Sequence, residues 1–70
     1  MVDSIYKVIE LVGSSEKGWD DAVKNVVETA SKTLHDLRIG EVTKLDVKIE
    51  NGKIAAYRAR VSLSFKYEKG

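Results

Sequence analysis

The spacing of apolar and polar residues divides the chain into four segments. In residues 5–12 the apolar side chains fall on both faces of an extended chain. One face carries Tyr6, Val8 and Val12, and the other carries Ile5, Ile9 and Leu11. A strand that is apolar on both faces is typical of a buried strand. We therefore predict that one face packs against the domain's own helix and that the other packs against another subunit.

The second segment has the 3.6-residue period of a helix. Gly13-Ser14-Ser15 predicts a turn with a serine N-cap, and Glu16 adds a favourable charge to the first turn. Apolar residues then recur at helical spacing, which predicts an amphipathic helix of about five turns. They are Trp19, Ala22, Val23, Val26, Val27, Ala30, Leu34 and Leu37. Trp19 could stack on a ligand or pack in the core, and its place in this stripe favours packing.

After Arg38 the period changes to two, which predicts two strands. Asn51-Gly52 between them is a strong hairpin signal, because a type I′ turn needs positive φ at both central residues. One face of the second strand is predicted to hold Ile39, Glu41, Thr43, Leu45, Val47 and Ile49. The third strand is predicted to point Ala55, Tyr57, Ala59, Val61, Leu63, Phe65 and Tyr67 inward.

The order β-α-β-β restricts the topology. A crossover helix favours parallel first and second strands, and the hairpin makes the third antiparallel to the second; a central third strand satisfies both. We predict an α+β fold with a three-stranded antiparallel sheet, in the order 1-3-2, over one amphipathic helix, as a single domain of residues 1–70. The third strand, from Lys53 to about Glu68, is long for its class and is predicted to extend beyond the helix and meet a partner.

Composition adds a second reason to expect an assembly. A 70-residue chain buries only roughly 60% of its unfolded surface, and there is no cysteine for a disulfide and no second histidine for a transition-metal site.

The formal net charge is +1, which does not call for nucleic acid. No apolar run approaches the roughly 20 residues of a membrane span, and the N-terminus lacks the features of a signal peptide. We therefore expect a cytoplasmic protein that binds neither membrane nor nucleic acid.

Few residues suggest catalysis. GSSEKG has two glycines between a strand and a helix but lacks the lysine and hydroxyl residue of a phosphate loop, and His35, placed in the last helical turn, is expected to be structural. Arg58 and Arg60 form either cross-strand ion pairs or an anion-binding surface. Asp46 and Glu50 could supply oxygen ligands to a cation, although a solvated strand face is the simpler interpretation. We therefore expect that the protein is not an enzyme.

Four stretches in order carry a family resemblance. YKVIELVGSS, GWDDAV at the helix start, LRIGEV before the second strand and YRARVSLSFKYE in the last strand resemble the dodecin family over nearly the whole chain. The resemblance implies a homododecamer, a hollow shell of twelve subunits with 23 symmetry. It also implies flavin binding for storage, scavenging or protection from photochemistry, without turnover.

The same resemblance places the cofactor contacts. In this family a tryptophan just before the E-V of the second strand stacks on the flavin, and a glutamine after the aromatic residue of the last strand bonds to it. Here these positions hold Ile39 and Arg58, which follows Tyr57. Isoleucine offers no π face, and arginine donates hydrogen bonds but accepts none. Such replacements resemble a branch that includes calcium-associated dodecins.

Two hypotheses follow. The first is a dodecameric binding protein that holds FMN, riboflavin or another planar or anionic small-molecule ligand near Ile39 and Arg58. The alternative is a structural or cation-associated shell that binds calcium through Asp46, Glu50 or nearby acids, and does not bind flavin.

Overall fold

The protein consists of one helix packed on a three-stranded sheet. The computed structural model describes residues 5–67, with strand β1 at Tyr6–Ser15, helix α1 at Trp19–Ala30, strand β2 at Leu37–Glu50 and strand β3 at Lys53–Lys66. The predicted β-α-β-β order is confirmed. The predicted end of the last strand near Glu68 lies outside the described residues.

The sheet has β3 at its centre. Both β1 and β2 pair with it antiparallel, so the predicted order 1-3-2 is confirmed. The β2–β3 hairpin turns at Asn51 and Gly52, whose φ angles are 53° and 74°. Positive φ at both positions is the type I′ geometry predicted from this dipeptide.

The core lies between α1 and the middle of β3. Buried apolar residues come from the helix and from alternate positions of the central strand: Ala22, Val26, Ala30, Ala59, Val61 and Leu63. The opposite side of the sheet, which we call the outer face, is not covered by the helix. Register places on it Tyr6, Val8, Glu10, Val12 and Ser14 of β1, Arg58, Arg60, Ser62 and Ser64 of β3, and Ile39, Glu41, Lys44 and Asp46 of β2.

The helix is shorter than predicted. It ends at Ala30, and residues 31–33 form a turn in which the amide of Leu34 still donates to the carbonyl of Ala30 at 2.9 Å. Leu34 and Leu37 pack against the core although they lie outside the helix. Because their spacing in the sequence fits a helical period, they were wrongly predicted to extend the helix by about two turns. Asp36, with φ of 59°, redirects the backbone into β2. His35 therefore lies in the connection, and its placement in a helical turn was wrong.

The prediction that a serine caps the N-terminus of the helix was also wrong. β1 continues to Ser15, and the N-cap position is Gly18, which makes no side-chain capping bond. Ser15 instead fixes the connection, because its hydroxyl accepts from the amide of Lys17 at 2.9 Å and donates to the carboxylate of Asp21 at 2.7 Å. Sheet pairing of Ser15 with Tyr57 outweighed the capping preference of the serine.

The predicted single face of β2 is divided by a register shift between Val42 and Lys44. Before the shift Ile39 and Glu41 pair with the outer-face residues Ser64 and Ser62. After it, Leu45 and Val47 pair with Ala59 and Tyr57 and face the helix side. One extra residue in a strand reverses the alternation that follows it. Ile39 is thereby separated from the apolar face to which the simple period of two assigned it.

Candidate functional site

A shallow cavity lies on the outer face, near the end of the sheet where β1 begins. It has a volume of about 340 Å³ and is lined by Tyr6, Arg38, Ile39 and Ser64. Ser64 is on the central strand, directly opposite Ile39 of β2, and Tyr6 is on β1, diagonal to Ser64. Because β1 and β2 are about 10 Å apart, a small central side chain leaves a trough between the larger side chains of its neighbours.

A strand irregularity brings two consecutive residues of β2 into this cavity. The register shifts between Leu37, opposite Phe65, and Ile39, opposite Ser64, so Arg38 is the extra residue. In a regular strand, neighbouring side chains point to opposite faces, whereas Arg38 and Ile39 both line the cavity. The shift thus adds a guanidinium group beside the apolar side chain of Ile39.

Arg58, the second residue predicted to contact a cofactor, is held in an ion pair on the same face. Its Nε donates to Oδ1 of Asp46 at 2.7 Å and its Nη2 donates to Oδ2 at 2.9 Å. This two-bond contact with Arg58 is the main reason why the pKa of Asp46 is lowered. Desolvation acts in the opposite direction, and the charges of Arg58, Arg60 and Lys44 each lower the pKa further. Both groups remain about half exposed, so solvent screens the pair.

Ile39 and Arg58 are not brought together within one chain. Ile39 lies opposite Ser64 and Asp46 lies opposite Arg58, so the two positions are six residues apart along β3. At the rise of a strand this is about 20 Å. A single small ligand can therefore contact both residues only if they come from different copies of the chain.

The two predicted cation ligands are also apart. Asp46 has both carboxylate oxygens bonded to Arg58, and Glu50 forms an exposed ion pair with Lys48 at 3.3 Å. Asp46 and Glu50 are four residues apart in β2, about 13 Å along the strand. Within residues 5–67, no group of three or more His, Cys, Asp or Glu side chains is arranged to hold a metal ion.

The neighbouring cations Arg58 and Arg60 form cross-strand ion pairs. Arg60 lies 3.6 Å from Glu10 of β1, while Arg58 bonds to Asp46 of β2. These contacts match the ion-pair alternative that the sequence left open for this face. They join the central strand to both of its neighbours.

Trp19 lies on the other side of the sheet, away from the cavity. Its ring meets that of Tyr57 edge to face, with centroids 5.1 Å apart, and its Nε1 donates to the carbonyl of Asp46 at 3.0 Å. Both contacts fasten the first turn of α1 to the β2–β3 hairpin. The packing role that the helical stripe favoured for Trp19 agrees with this position.

Sequence reasoning did not include Tyr6, Arg38 or Ser64 in the site. The period of two placed Tyr6 on one of the two apolar faces of the first strand without saying which face meets another subunit, and nothing in the local pattern distinguished Arg38 from a residue of the helix-to-strand connection. The alternation of Ser62 and Ser64 with large apolar residues was the available signal, because small residues on a central strand leave space between its neighbours.

Comparisons with known proteins bear on this arrangement. The family model described as Dodecin matches residues 5–68. The chain belongs to the dodecin family. Dodecin from Thermus thermophilus is 32% identical over 65 residues, covering 93% of this chain and 94% of the relative. The structure of dodecin from Streptomyces coelicolor superposes with a TM-score of 0.92 at 40% identity, with both chains fully covered.

The relatives of this chain in the dodecin family also include a protein named calcium dodecin. Calcium dodecin from Mycobacterium tuberculosis is 32% identical over 63 residues, covering 90% of this chain and 89% of the relative. Its structure, described as having a novel calcium-binding site, has a TM-score of 0.83 at 31% identity over 93% of each chain. Dodecins of both descriptions thus share the fold of this chain. The one helix within residues 5–67 has 12 residues and is not long and apolar enough to cross a bilayer.

Proposed function

We propose that this dodecin is a cytoplasmic binding protein that assembles into a homododecamer and holds a flavin, FMN or riboflavin, without turning it over. The observation that carries the proposal is the cavity beside Ile39, at the position where the family resemblance expects the flavin. Its wall combines apolar surface with groups that can form hydrogen bonds. That combination suits a planar heterocycle with polar edges.

The assembly is part of the proposed site. Ile39 is 63% exposed on the outer face, and Arg58 lies about 20 Å from it in the same chain. We propose that neighbouring copies bring these positions to one flavin. Arg58 donates to a flavin carbonyl with the N–H groups that Asp46 leaves available.

Absorbance and fluorescence test flavin binding directly. Protein purified from cells rich in FMN is expected to absorb in the near ultraviolet and blue, and apoprotein is expected to quench the fluorescence of added riboflavin or FMN. Ile39→Trp restores a π face and is expected to quench more strongly, with Ile49→Trp, at the far end of the sheet, as the matched control. A colourless preparation that leaves the fluorescence of riboflavin, FMN and FAD unchanged would contradict flavin binding.

The second candidate function is calcium binding, which the relative named calcium dodecin favours. Asp46 and Glu50 are the proposed ligands; Asp46 would have to release Arg58, and a neighbouring copy would have to supply the missing oxygens. Calorimetric titration of chelator-treated protein with calcium is expected to give heat that Asp46→Asn and Glu50→Gln abolish. Absence of heat and of a thermal shift would remove this candidate.

A further inference from the structure

We infer that Tyr6 and Arg38 are ligand-binding residues of the outer-face cavity, Tyr6 as the aromatic stacking group and Arg38 as the contact for an anionic substituent. The ligand class is a planar aromatic compound that carries a phosphate, so FMN is preferred over riboflavin. This inference rests on the proposed flavin binding and assigns roles to residues that line the cavity with Ile39.

Tyr6 gives the cavity an aromatic surface. Among residues 5–67, Tyr6 is the only aromatic residue that lines the cavity, and about half of its surface is exposed. Ile39 forms the opposite wall and can contribute van der Waals contact but no π interaction. A planar ring in the trough can pack between the two walls, with the Tyr6 ring supplying the offset or edge-on contact that aromatic pairs prefer.

The floor of the trough supports the same geometry. Ser64 leaves room for a ring, whereas a larger residue at this central position would fill the space between β1 and β2. Its hydroxyl lies 3.5 Å from the carbonyl of Ile39, at the limit of a hydrogen bond. The hydroxyl can therefore turn toward a polar atom of a ligand with little loss.

Arg38 gives the cavity a positive charge. Arg38 lines the cavity through the register shift described above, and it has no ion pair with an acidic residue among residues 5–67. In contrast, Arg58 and Arg60 on the same face are paired with Asp46 and Glu10. A guanidinium without such a partner is suited to a phosphate, which it can bind with two parallel hydrogen bonds.

The experiment compares riboflavin with FMN in the full-length protein, by titration of flavin fluorescence. Tyr6→Leu keeps an apolar wall but removes the ring, and is expected to weaken the affinity for both flavins about three- to tenfold. Tyr6→Trp is expected to retain or strengthen binding and to deepen the quenching. Tyr67→Leu, which alters an exposed tyrosine that does not line the cavity, is the matched control and should leave both affinities unchanged.

Arg38→Gln tests the anionic contact separately. It is expected to weaken the affinity for FMN about tenfold, to change the affinity for riboflavin by less than about twofold, and to reduce the salt dependence of FMN binding. Arg38→Lys should recover part of the lost FMN affinity. Arg60→Gln, which removes a paired arginine outside the cavity, is the control. Equal losses for riboflavin and FMN in Arg38→Gln would overturn the charge assignment.

The outcomes separate this inference from the proposed function. If the unmodified protein binds flavin and Tyr6→Leu and Tyr6→Trp both bind it with unchanged affinity and quenching, the role of Tyr6 is overturned and flavin binding stands. If the unmodified protein binds neither flavin, both are overturned. Light scattering checks the assembly of each variant; should Tyr6→Leu fail to assemble, Tyr6→Trp and Arg38→Gln decide the result.

Discussion

At the scale of single residues, Asp46 connects the two sides of the sheet. Its carboxylate binds Arg58 on the outer face, while its backbone carbonyl accepts from the indole of Trp19 on the helix side. The residue that the sequence suggested as a metal ligand therefore already has an ionic partner. This arrangement makes Asp46 a structural link between the hairpin and the first turn of α1.

The pH dependence of stability follows from that ion pair. The folded-state pKa of Asp46 lies below its usual value of 3.8, so the pair stabilises the fold above about pH 4 and this contribution is lost as the pH falls through the folded pKa. Urea unfolding followed by Trp19 fluorescence should show Asp46→Asn less stable than the parent at pH 7, with the difference shrinking below pH 4. The loss is small because the pair is exposed.

Arg58→Gln provides the control for that prediction. It should reproduce the same trend, and the double variant should add little, because both substitutions remove one interaction. A gap between parent and Asp46→Asn that stays constant from pH 7 to pH 3 would contradict the role of the ion pair.

At the scale of elements, the packing of α1 on β1 depends on Gly13. A Cβ atom there would clash with Cγ2 of Val26 and would lie 2.6 Å from the backbone oxygen of Ala22. The second contact is with backbone, so a side-chain rotation cannot relieve it. The absence of a side chain at Gly13, which sequence reasoning assigned to a turn, allows the helix to approach the strand.

Gly13→Ala is therefore expected to lower the free energy of unfolding by about 1–3 kcal/mol, the range for overpacking in a core. Chemical denaturation measures this change. Gly40→Ala is the matched control, because its Cβ would lie 3.3 Å from Cδ2 of Leu63, the end of a side chain that can shift. Equal losses in the two variants would contradict close helix–strand packing at Gly13.

At the scale of the whole molecule, a single chain leaves much of its apolar surface uncovered. Six hydrophobic residues are buried within residues 5–67, whereas twelve large hydrophobic side chains are exposed, and the chain measures 55 × 20 × 15 Å. Exposed apolar surface on this scale is typical of a chain that associates with others. It supports the proposed assembly of copies through the sheet.

A charge on the outer face tests that assembly. Light scattering is expected to give about 94 kDa, twelve times the chain mass of 7.8 kDa. Val12→Asp, at an exposed position on the outer face away from the cavity, is expected to produce smaller species. In a monomer the same exposed substitution would change stability by only about 0.5 kcal/mol. Lys32→Glu, beyond the helix end, is the control and should keep the parent mass; a parent near 7.8 kDa would exclude the assembly.

The order of elements and the hairpin could be predicted from the sequence because they depend on local interactions, and the crossover and hairpin connections then restricted the strand order to 1-3-2. Asn51-Gly52 favours positive φ through the backbone preferences of its own two residues, and a period of two or 3.6 distinguishes a strand from a helix. The ordered stretches from YKVIELVGSS to YRARVSLSFKYE also indicated the dodecin family, which the family model confirmed.

Three features could not be predicted from the sequence and became clear only in the folded chain: the end of the helix, the faces to which the residues of β2 point, and the composition of the cavity. Leu34 continues the helical spacing but packs from a turn, and the register shifts near Arg38 and Thr43 leave no mark in the hydrophobic pattern. The phase of β2 and the composition of the cavity depend on pairing with β3, a strand that follows later in the chain. Tyr6, Ser64 and Arg38 meet at one cavity for the same physical reason: sheet pairing joins residues that are distant in sequence.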